Sequence, residues 1–288
     1  MGNESQEKSV QLPQSVSSPE GSPPAFSAGK SYLTTVAHEL KTPVAIICGY
    51  IEILLEGDLG PLNAEQKQVL ADALANCTRL KKFVGEFLSH AALETAKARL
   101  YLERGDLNQC LADVCCYWRQ QVQAKGVALY FNPAADMDPF WFDHDKVQQI
   151  VSNLLDNALK FTPSGGTIWV ATYGARLDTL AAGDAESAGV ESAGAGSVPA
   201  VKIVVADTGP GIPAEFYTEV FTEFFRISNQ KGNPNGTGLG LSIAKRLTQM
   251  HGGRIWIECE PGAGTRISFL IPMRREEREA ECQEMDRL

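Results

Sequence analysis

The chain has 288 residues, a formal net charge of −9 at pH 7 and a pI of about 5.1. This acidity argues against a nucleic-acid-binding surface and against a basic membrane-binding patch. No apolar run reaches the length of a membrane span, so no integral membrane segment is expected. The seven cysteines are scattered and form no Cys-x-x-Cys pair, which indicates reduced thiols and a cytoplasmic location.

The two ends of the chain differ in composition from the rest. Residues 1–30 are rich in Ser, Pro, Glu, Gln and Gly and predict a disordered lead-in. Residues 273–288 are highly charged and predict a surface tail. The length between them is sufficient for two domains. We place these at 31–97 and 107–272, with a linker at 98–106.

Apolar residues recur at alternating three- and four-residue spacing between Ser31 and Leu55, which predicts an amphipathic helix packed on other helices. The seam consists of Leu33, Val36, Leu40, Val44, Ile47, Ile51 and Leu54. A rotation of about 100° per residue places His38 on the opposite, solvent side, with Glu39 beside it and Thr42 one turn later. Pro43 predicts a bend, because the Glu39 carbonyl loses its hydrogen-bond donor. A surface histidine without chemistry remains the alternative for this helix alone.

A second long helix is predicted from about Asn63, where Gln66 stands at the capping-box position. Its seam consists of Val69, Ala73, Cys77 (or Asn76), Leu80, Val84, Phe87 and Ala91. Two antiparallel helices with one apolar stripe each cannot enclose a core. We therefore expect a homodimer, in which two hairpins form a four-helix bundle.

From residue 107 onward the pattern alternates between helix and strand. Three helices are predicted at 107–125, 143–161 and 239–250, and six strands at 127–131, 140–142, 166–173, 201–207, 254–258 and 265–271. The Ala-, Gly- and Ser-rich residues 174–200 predict a flexible insertion between two strands. The expected fold class is α+β, with the helical hairpin followed by an α/β sandwich.

Three polar residues, Asn153, Asn157 and Lys160, fall on one face of the helix at 143–161, away from its apolar stripe. Amide oxygens suit a hard cation such as Mg²⁺, which also takes phosphate oxygens as ligands. An ammonium group beside them would neutralise phosphate charge. The alternative is an ordinary solvated helix face.

Asp207 ends an apolar strand and is followed by Gly209 and Gly211. The glycines allow a ligand to approach the backbone closely, and the carboxylate can accept a hydrogen bond from an exocyclic amine. Taken alone, the segment also fits an ordinary turn after a strand.

Two further segments have features of a phosphate site. The aromatics of Phe221–Ile227 can pack one wall of a lid, from which Arg226 can reach a phosphate. The glycine-rich residues 236–240 precede a helix, and a helix N-terminus presents free amides to an anion. A glycine turn used only for packing is the alternative reading of the second segment.

Five segments in this order resemble the motifs of the sensor histidine kinases of two-component systems. The sequence HELKTP at 38–43 is similar to the phosphoacceptor box of that family. The segments similar to its N, G1, F and G2 boxes are 148–161, 204–212, 221–227 and 236–240. The resemblance covers residues 31–272 except the insertion. It implies a Bergerat (GHKL) ATP-binding fold, a mixed sheet with helices on one face, after the dimeric helical bundle.

The resemblance also implies ATP and Mg²⁺ as cofactors and assigns roles to the polar residues. Asp207 would bind the adenine amino group, in a pocket shaped by Gly209 and Gly211. Asn157 would be the main Mg²⁺ ligand, with Asn153 alongside. The implied phosphate-binding residues are Lys160, Arg226, Gly236, Thr237, Gly238, Leu239 and Gly240.

The implied reaction is transfer of the γ-phosphoryl group of ATP to His38 and then to an aspartate of a response regulator receiver domain. Glu39 would orient the imidazole, and Thr42 would support a phosphatase activity towards the phospho-regulator. Family members usually have a sensory domain before this helix, for which residues 1–30 leave no room. The input is therefore expected from a separate sensory protein, unless this sequence is a piece of a longer chain.

The sequence departs from the family pattern in two places, and two rival functions are less consistent with it. Glu223 stands where the F box usually has a proline, and the insertion is longer than family members need. An ATPase of the gyrase and MutL type would need a glutamate base four residues before the Mg²⁺ asparagine, where this chain has Asn153. A degenerate kinase acting as a dimerisation scaffold is disfavoured, because the boxes are intact.

Overall fold

The structure is a computed structural model that describes residues 27–93, 99–178, 197–227, 236–258, 262 and 264–274. In the first helix it describes the side chains of Glu39 and of the residues from Thr42 onward. The lead-in before Ser27, the centre of the predicted insertion and the tail after Arg274 lie outside the described residues. None of the helices within these ranges is both long enough and apolar enough to cross a membrane.

The first domain is an antiparallel helical hairpin of α1 (Ser27–Glu56) and α2 (Ala64–Leu93). The capping box predicted at its second helix is confirmed. The backbone amide of Gln66 donates to Asn63 Oδ1 at 2.8 Å, and the Asn63 amide donates to Gln66 Oε1 at 2.9 Å. These bonds satisfy two of the amides that a helix start leaves unpaired.

The hairpin has two apolar faces rather than the single seam predicted for each helix. Val44 and Ile51 of α1 are both buried, because residues seven apart lie on one line of a helix. Val84 of α2 is buried as well. Ile47, by contrast, is 47% exposed and Val69 is 63% exposed. Ile47, Val69 and Leu80 (47% exposed) therefore lie on a face that the hairpin itself does not cover, and the predicted packing of this seam on a second hairpin stays a prediction.

Within the described residues, the second domain contains seven strands and three further helices. The helices are α3 (Leu107–Ala124), α4 (His144–Phe161) and α5 (Gly240–Met250). The strands are β1 (Glu103–Gly105), β2 (Ala128–Asn132), β3 (Phe140–Phe142), β4 (Thr167–Asp178), β5 (Ser197–Asp207), β6 (Arg254–Ile257) and β7 (Thr265–Pro272). Two short 3₁₀ turns, Ala214–Phe216 and Glu219–Phe221, lie between β5 and α5.

The main sheet has the strand order β2-β4-β5-β7-β6, in which β2 and β4 are parallel and the other pairs antiparallel. Ile168, Val170, Ile203 and Val205 alternate along β4 and β5 and are buried on the same face. Buried residues of α3, α4 and α5 pack on this face, whereas Tyr173 on the other face is 52% exposed. The expected mixed sheet with helices on one face is confirmed.

Three elements differ from the predictions. β4 continues to Asp178 and β5 already begins at Ser197, so the predicted loop at 174–200 is wrong at both ends. The two strands stay paired from Ile168 opposite Asp207 to Asp178 opposite Ser197, which extends the ladder into the low-complexity sequence. β1 was not predicted, because three residues of mixed polarity give no alternation signal, and it pairs with β3.

A buried polar cluster joins the linker to the start of α4 and the end of α5. Asp143 Oδ1 accepts from the Lys146 amide at 3.0 Å, and its Oδ2 accepts from the Tyr101 amide at 2.8 Å. The Asp143 amide donates to His251 Nε2 at 3.3 Å, while His251 Nδ1 lies 2.8 Å from the Leu247 carbonyl. Nε2 therefore accepts and Nδ1 carries the proton, which requires a neutral ring.

His251 is 2% exposed, and burial holds its pKa below the usual histidine value, against the opposing effects of the Leu247 carbonyl and Asp143. The unfolded chain takes up a proton near a pH of about 6.5 that the folded ring resists. The free energy of unfolding should therefore decline as the pH falls through about 6.5, by at most about 1.4 kcal/mol per pH unit. In His251→Gln this decline should be smaller. Urea unfolding of both proteins at pH 7.5 and 5.5 measures it, and equal losses would contradict the assignment.

Candidate functional site

A cavity of about 570 Å³ opens between α4, the end of β5, the 3₁₀ segment, the start of α5 and helix α2 of the hairpin. Its walls combine apolar side chains with a few convergent polar groups, as ligand sites do. Of the predicted cofactor-binding residues, those that line it are Asn153, Asn157, Lys160, Asp207, Gly211, Arg226, Gly236, Thr237, Gly238 and Gly240. Gly209 and Leu239 are not in its lining, and Leu239 is fully buried beside it.

The polar wall of the cavity is one face of α4. The opposite stripe of this helix is buried as predicted, at Val147, Ile150, Val151, Leu154 and Ala158. Burial of the stripe turns Asn153, Asn157 and Lys160 towards the cavity, since they lie on a different face of the helix. The helix begins at Asp143, whose side chain caps the Lys146 amide.

Asn153 has a buried side-chain nitrogen, Nδ2, without a hydrogen-bond partner among the described residues. A buried amide hydrogen that is left unpaired costs free energy. Because Asn153 lines the cavity, a bound ligand can supply the missing hydrogen-bond acceptor. A phosphate oxygen is such an acceptor. The amide oxygens of Asn153 and Asn157 are of the kind that Mg²⁺ prefers. The residues present therefore fit a Mg²⁺–phosphate group.

Lys160 and Arg226 supply positive charge to the cavity. Burial is the main reason that the pKa of Lys160 lies below its usual value. The Arg226 and Lys82 cations lower that pKa further, whereas the carboxylates of Asp156 and Glu86 raise it. The Lys160 ammonium also lies 5.0 Å from the centre of the Phe161 ring, an attractive cation–π distance. An anion in the cavity would strongly favour the charged form of this lysine.

Asp207 belongs to the same lining, at the end of β5, and is only 8% exposed. Burial raises the pKa of its carboxyl group, while hydrogen bonds from Gly209 and Thr265 lower it. The Gly209 amide donates to Asp207 Oδ1 at 2.7 Å, and β5–β7 pairing sets Thr265 directly opposite Asp207. A carboxylate held in this way is an oriented acceptor at the end of an otherwise apolar slot.

Two glycines are required by close contacts. A Cβ on Gly209 would lie 2.7 Å from Asp207 Oδ1 and 3.2 Å from the Phe161 carbonyl oxygen. Gly209 thus acts by allowing its amide to reach Asp207, rather than by lining the cavity. Gly238 has a φ of +78°, and a Cβ there would meet the Phe224 backbone at 2.7 Å. Both positions exclude larger residues.

The segment between β5 and α5 forms the third wall. Val220 and Phe221 are buried beneath it, and Phe225 and Arg226 line the cavity. Phe224 has a φ of +59°, unusual for a bulky residue, and its amide donates to the Gly238 carbonyl at 3.0 Å. This bond ties the predicted F segment to the glycine-rich turn and extends the wall to the start of α5.

Helix α2 closes the cavity through Lys82 and Glu86, which the sequence analysis did not predict. The two residues are one turn apart in a predicted helix, and their spacing alone looks like an ordinary i, i+4 surface pair. No signal in the sequence indicates that this face contacts the other domain. Thr265 was also missed, although its pairing with Asp207 follows from the antiparallel register of two predicted strands.

The predicted catalytic residues lie on α1, away from the cavity lining. Glu39 and Thr42 are exposed there, as the periodicity predicts. The backbone of His38 belongs to the same helix, while its side chain lies outside the described residues. The structure therefore brings the nucleotide-site residues together and leaves the acceptor helix as a separate element.

Two family models match the chain in succession. Residues 30–96 match the His Kinase A (phospho-acceptor) domain, and residues 142–275 match the histidine kinase-, DNA gyrase B- and HSP90-like ATPase domain. The first contains His38, and the second contains the cavity lining apart from Lys82 and Glu86. The chain belongs to the sensor histidine kinases.

Curated relatives of this kinase include the adaptive-response sensory kinase SasA of a Synechococcus strain, 29% identical over 245 residues. The drug sensory protein A of a Synechocystis strain is 33% identical over 244 residues. Each match covers 84% of this chain, but only 59% and 34% of the respective relative. The chain therefore spans a part of the length of these relatives.

Solved structures show the same fold. The structure of full-length ShkA in complex with AMPPNP matches 84% of this chain and 46% of that protein, with a TM-score of 0.64 and 24% identity. The histidine kinase AdeS of Acinetobacter baumannii matches 83% of this chain and 98% of that protein, with a TM-score of 0.53 and 19% identity.

Asp207→Asn should weaken binding of an ATP analogue, because one side of the amide presents a donor where an adenine amino group needs an acceptor. The expected loss is about 1.5–3 kcal/mol of binding free energy, as for a hydrogen bond to a charged group. Calorimetry on the wild type and the variant measures it. Asp138→Asn is the matched control, since Asp138 is exposed and does not line the cavity. Equal affinities in wild type and Asp207→Asn would contradict the adenine role.

Proposed function

We propose that the protein is an ATP-dependent histidine kinase that phosphorylates itself on His38 and passes the phosphoryl group to an aspartate of a response regulator. One observation carries this proposal: the cavity lining combines the amide and lysine face of α4 with the oriented carboxylate of Asp207 at the end of β5. Adenine and triphosphate are the two ends of a ligand that matches these two sets of groups. The bound AMPPNP of the related ShkA structure supports the same reading.

Within this proposal Asp207 accepts from the adenine amino group, and the close turn at Gly209 and Gly211 shapes that end of the slot. Asn157 and Asn153 would hold Mg²⁺, which would supply positive charge to neutralise the phosphates. No group of three His, Cys, Asp or Glu side chains within the described ranges is placed to hold a metal. The two asparagine amide oxygens would fill only part of the coordination shell of Mg²⁺, and phosphate oxygens would complete it.

Lys160, Arg226 and the turn from Gly236 through Thr237, Gly238 and Leu239 to Gly240 form the phosphate end. Lys160 is half-buried, and its surroundings lower its pKa. A bound phosphate would supply a counter-charge to its ammonium group. The amides at the start of α5 add donors for the same anion. Catalysis by such groups consists of positioning and charge neutralisation rather than of covalent steps.

His38 is the proposed nucleophile. A neutral ring nitrogen of His38 would attack the γ-phosphorus in line, so that an N–P bond forms while the bond to the bridging oxygen breaks and ADP leaves. Glu39, the neighbouring carboxylate, would accept from the other ring nitrogen and fix the tautomer. Asn153 occupies the helix position where related ATPases need a glutamate base, and an amide is a poor base for activating water. This favours transfer to the histidine over hydrolysis.

The quaternary and cellular context is part of the same proposal. Ile47, Tyr50 and Ile53 form an exposed apolar face on α1, which supports a homodimer built around a four-helix bundle. The five cysteines within the described ranges are free, in line with a reducing, cytoplasmic setting. The proposed partner is a response regulator receiver domain, and the domain limits are those proposed from the sequence.

Incubation with γ-labelled ATP tests the activity: label that is stable in alkali and labile in acid should appear on the wild-type protein. His38→Ala should remove this label completely, because it lacks the accepting nitrogen. Its affinity for an ATP analogue should be unchanged, since the cavity belongs to the other domain. Stable label on His38→Ala would show that another residue is the acceptor, and a loss of nucleotide binding would show that the variant is damaged more generally.

The proposed phosphatase activity can be tested separately by substitution of Thr42. Its hydroxyl is exposed one turn after His38, where it can hydrogen-bond and orient a water for attack on a docked phospho-aspartate. Thr42→Ala should keep autophosphorylation and forward transfer but slow the loss of phosphate from the regulator. The measurement is decay of purified phospho-regulator with ADP and kinase present. If the phospho-regulator decays equally fast with wild type and variant, Thr42 has no phosphatase role and only a structural role before Pro43.

A further inference from the structure

Three side chains one turn apart on α2, Lys82, Glu86 and His90, contact the ATP-binding domain. Lys82 Nζ lies 2.6 Å from Asp156 Oδ2 on α4. The hydroxyl of Thr237, in the glycine-rich turn, donates to Glu86 Oε2. His90 Nε2 lies 2.7 Å from Glu223 Oε1. The hairpin thus lies across the mouth of the nucleotide cavity, where these polar contacts accompany the apolar packing of Phe87 and Leu93 on the core of the domain.

Glu86 is the member of this row that enters the cavity. Its side chain is 17% exposed, and both it and Lys82 belong to the lining. Its carboxylate accepts from Thr237, in the turn to which the phosphates are assigned, and is near enough to Lys160 to raise the pKa of that lysine. The carboxylate of Glu86 therefore lies beside Thr237 and Lys160, which are groups that suit a phosphate.

The charges around Glu86 explain why it is stable in that position. Lys82, Lys160 and Arg226 bring three cations to this end of the cavity, and like charges raise each other's free energy unless anions lie between them. Glu86 lies 3.9 Å from Lys82, and Asp156 neutralises Lys82 from the other side. In the absence of nucleotide, Glu86 supplies the negative charge that the cavity needs.

We propose that Glu86 is a stand-in for phosphate that the triphosphate of ATP displaces, so that nucleotide binding and docking of α2 on the cavity exclude each other. The inference rests on the proposed ATP site. A triphosphate on Lys160 and Thr237 would meet the Glu86 carboxylate at short range and repel it. Because a ligand favours the state it binds better, ATP would release α2 from the ATP-binding domain, and docked α2 would lower the affinity for ATP.

The alternative role for a carboxylate in this place is that of an additional Mg²⁺ ligand, and it predicts the opposite result. Removal of a metal ligand weakens MgATP binding, whereas removal of a competing anion strengthens it. Glu86→Gln keeps the size and the hydrogen-bonding capacity of the side chain but removes its charge. Glu65→Gln is the matched control, because Glu65 is an exposed glutamate in the first turn of the same helix.

The first experiment is calorimetry of the full chain with a non-hydrolysable ATP analogue, ADP and adenosine at a fixed excess of Mg²⁺. Glu86→Gln should lower the dissociation constant of the ATP analogue about three- to tenfold. The effect should be smaller for ADP and absent for adenosine, which has no phosphate and so checks that the variant is folded. Glu65→Gln should match the wild type for all three ligands.

The second experiment follows the displacement in the wild-type protein. Carbodiimide-driven coupling of an amine to carboxyl groups, read by mass spectrometry, should label Glu86 more when the ATP analogue is added, with no change at Glu65. Unchanged or weaker ATP-analogue binding by Glu86→Gln, or decreased labelling of Glu86, would overturn the stand-in role while leaving the ATP site intact. Failure of the wild type to bind any nucleotide would instead overturn the proposed function, and this inference with it.

Discussion

The burial of the apolar stripe of α4 is the constraint on which the rest of the site depends. Ile150, Leu154 and their neighbours pack against the sheet and against α5, and a helix fixed on one side has no freedom to rotate its other side. The amides of Asn153 and Asn157 and the ammonium of Lys160 therefore project into the cavity as a rigid set. The hydrophobic core thus positions the polar chemistry, and the Asp143–His251 cluster fixes where the helix begins.

The cavity lining contains charges of both signs. Burial raises the pKa of the Asp207 carboxyl group, to which two neighbours supply hydrogen bonds. Lys160, Arg226 and Lys82 are cations of the same lining. A ligand with a neutral, amine-bearing ring and a polyanionic tail has partners for both kinds of group. The same cations explain how the carboxylate of Glu86 is accommodated in the lining.

The sequence was sufficient where local periodicity determines the answer. The stripe of α4, the Asn63–Gln66 capping box and Asp207 at the end of an apolar strand are all found where the pattern predicts them. It was insufficient where pairing between distant segments decides. The ladder of β4 and β5 extends to Asp178 and Ser197 through a stretch whose composition favours a loop. The heptad pattern that includes Ile47 likewise does not tell which helix covers this residue, and α2 leaves it 47% exposed.

The sequence by itself determined the family, the mixed α+β architecture and ten of the residues that line the cavity, because these depend on residue types at short, regular spacings. Only the tertiary structure decided that α2 contributes Lys82 and Glu86 to the same cavity. Those residues are separated by about seventy positions or more from their contacts at Asp156 and Thr237. Helical periodicity predicts on which face of α2 a side chain lies. It does not predict which element packs against that face, because this depends on the contact between the two domains.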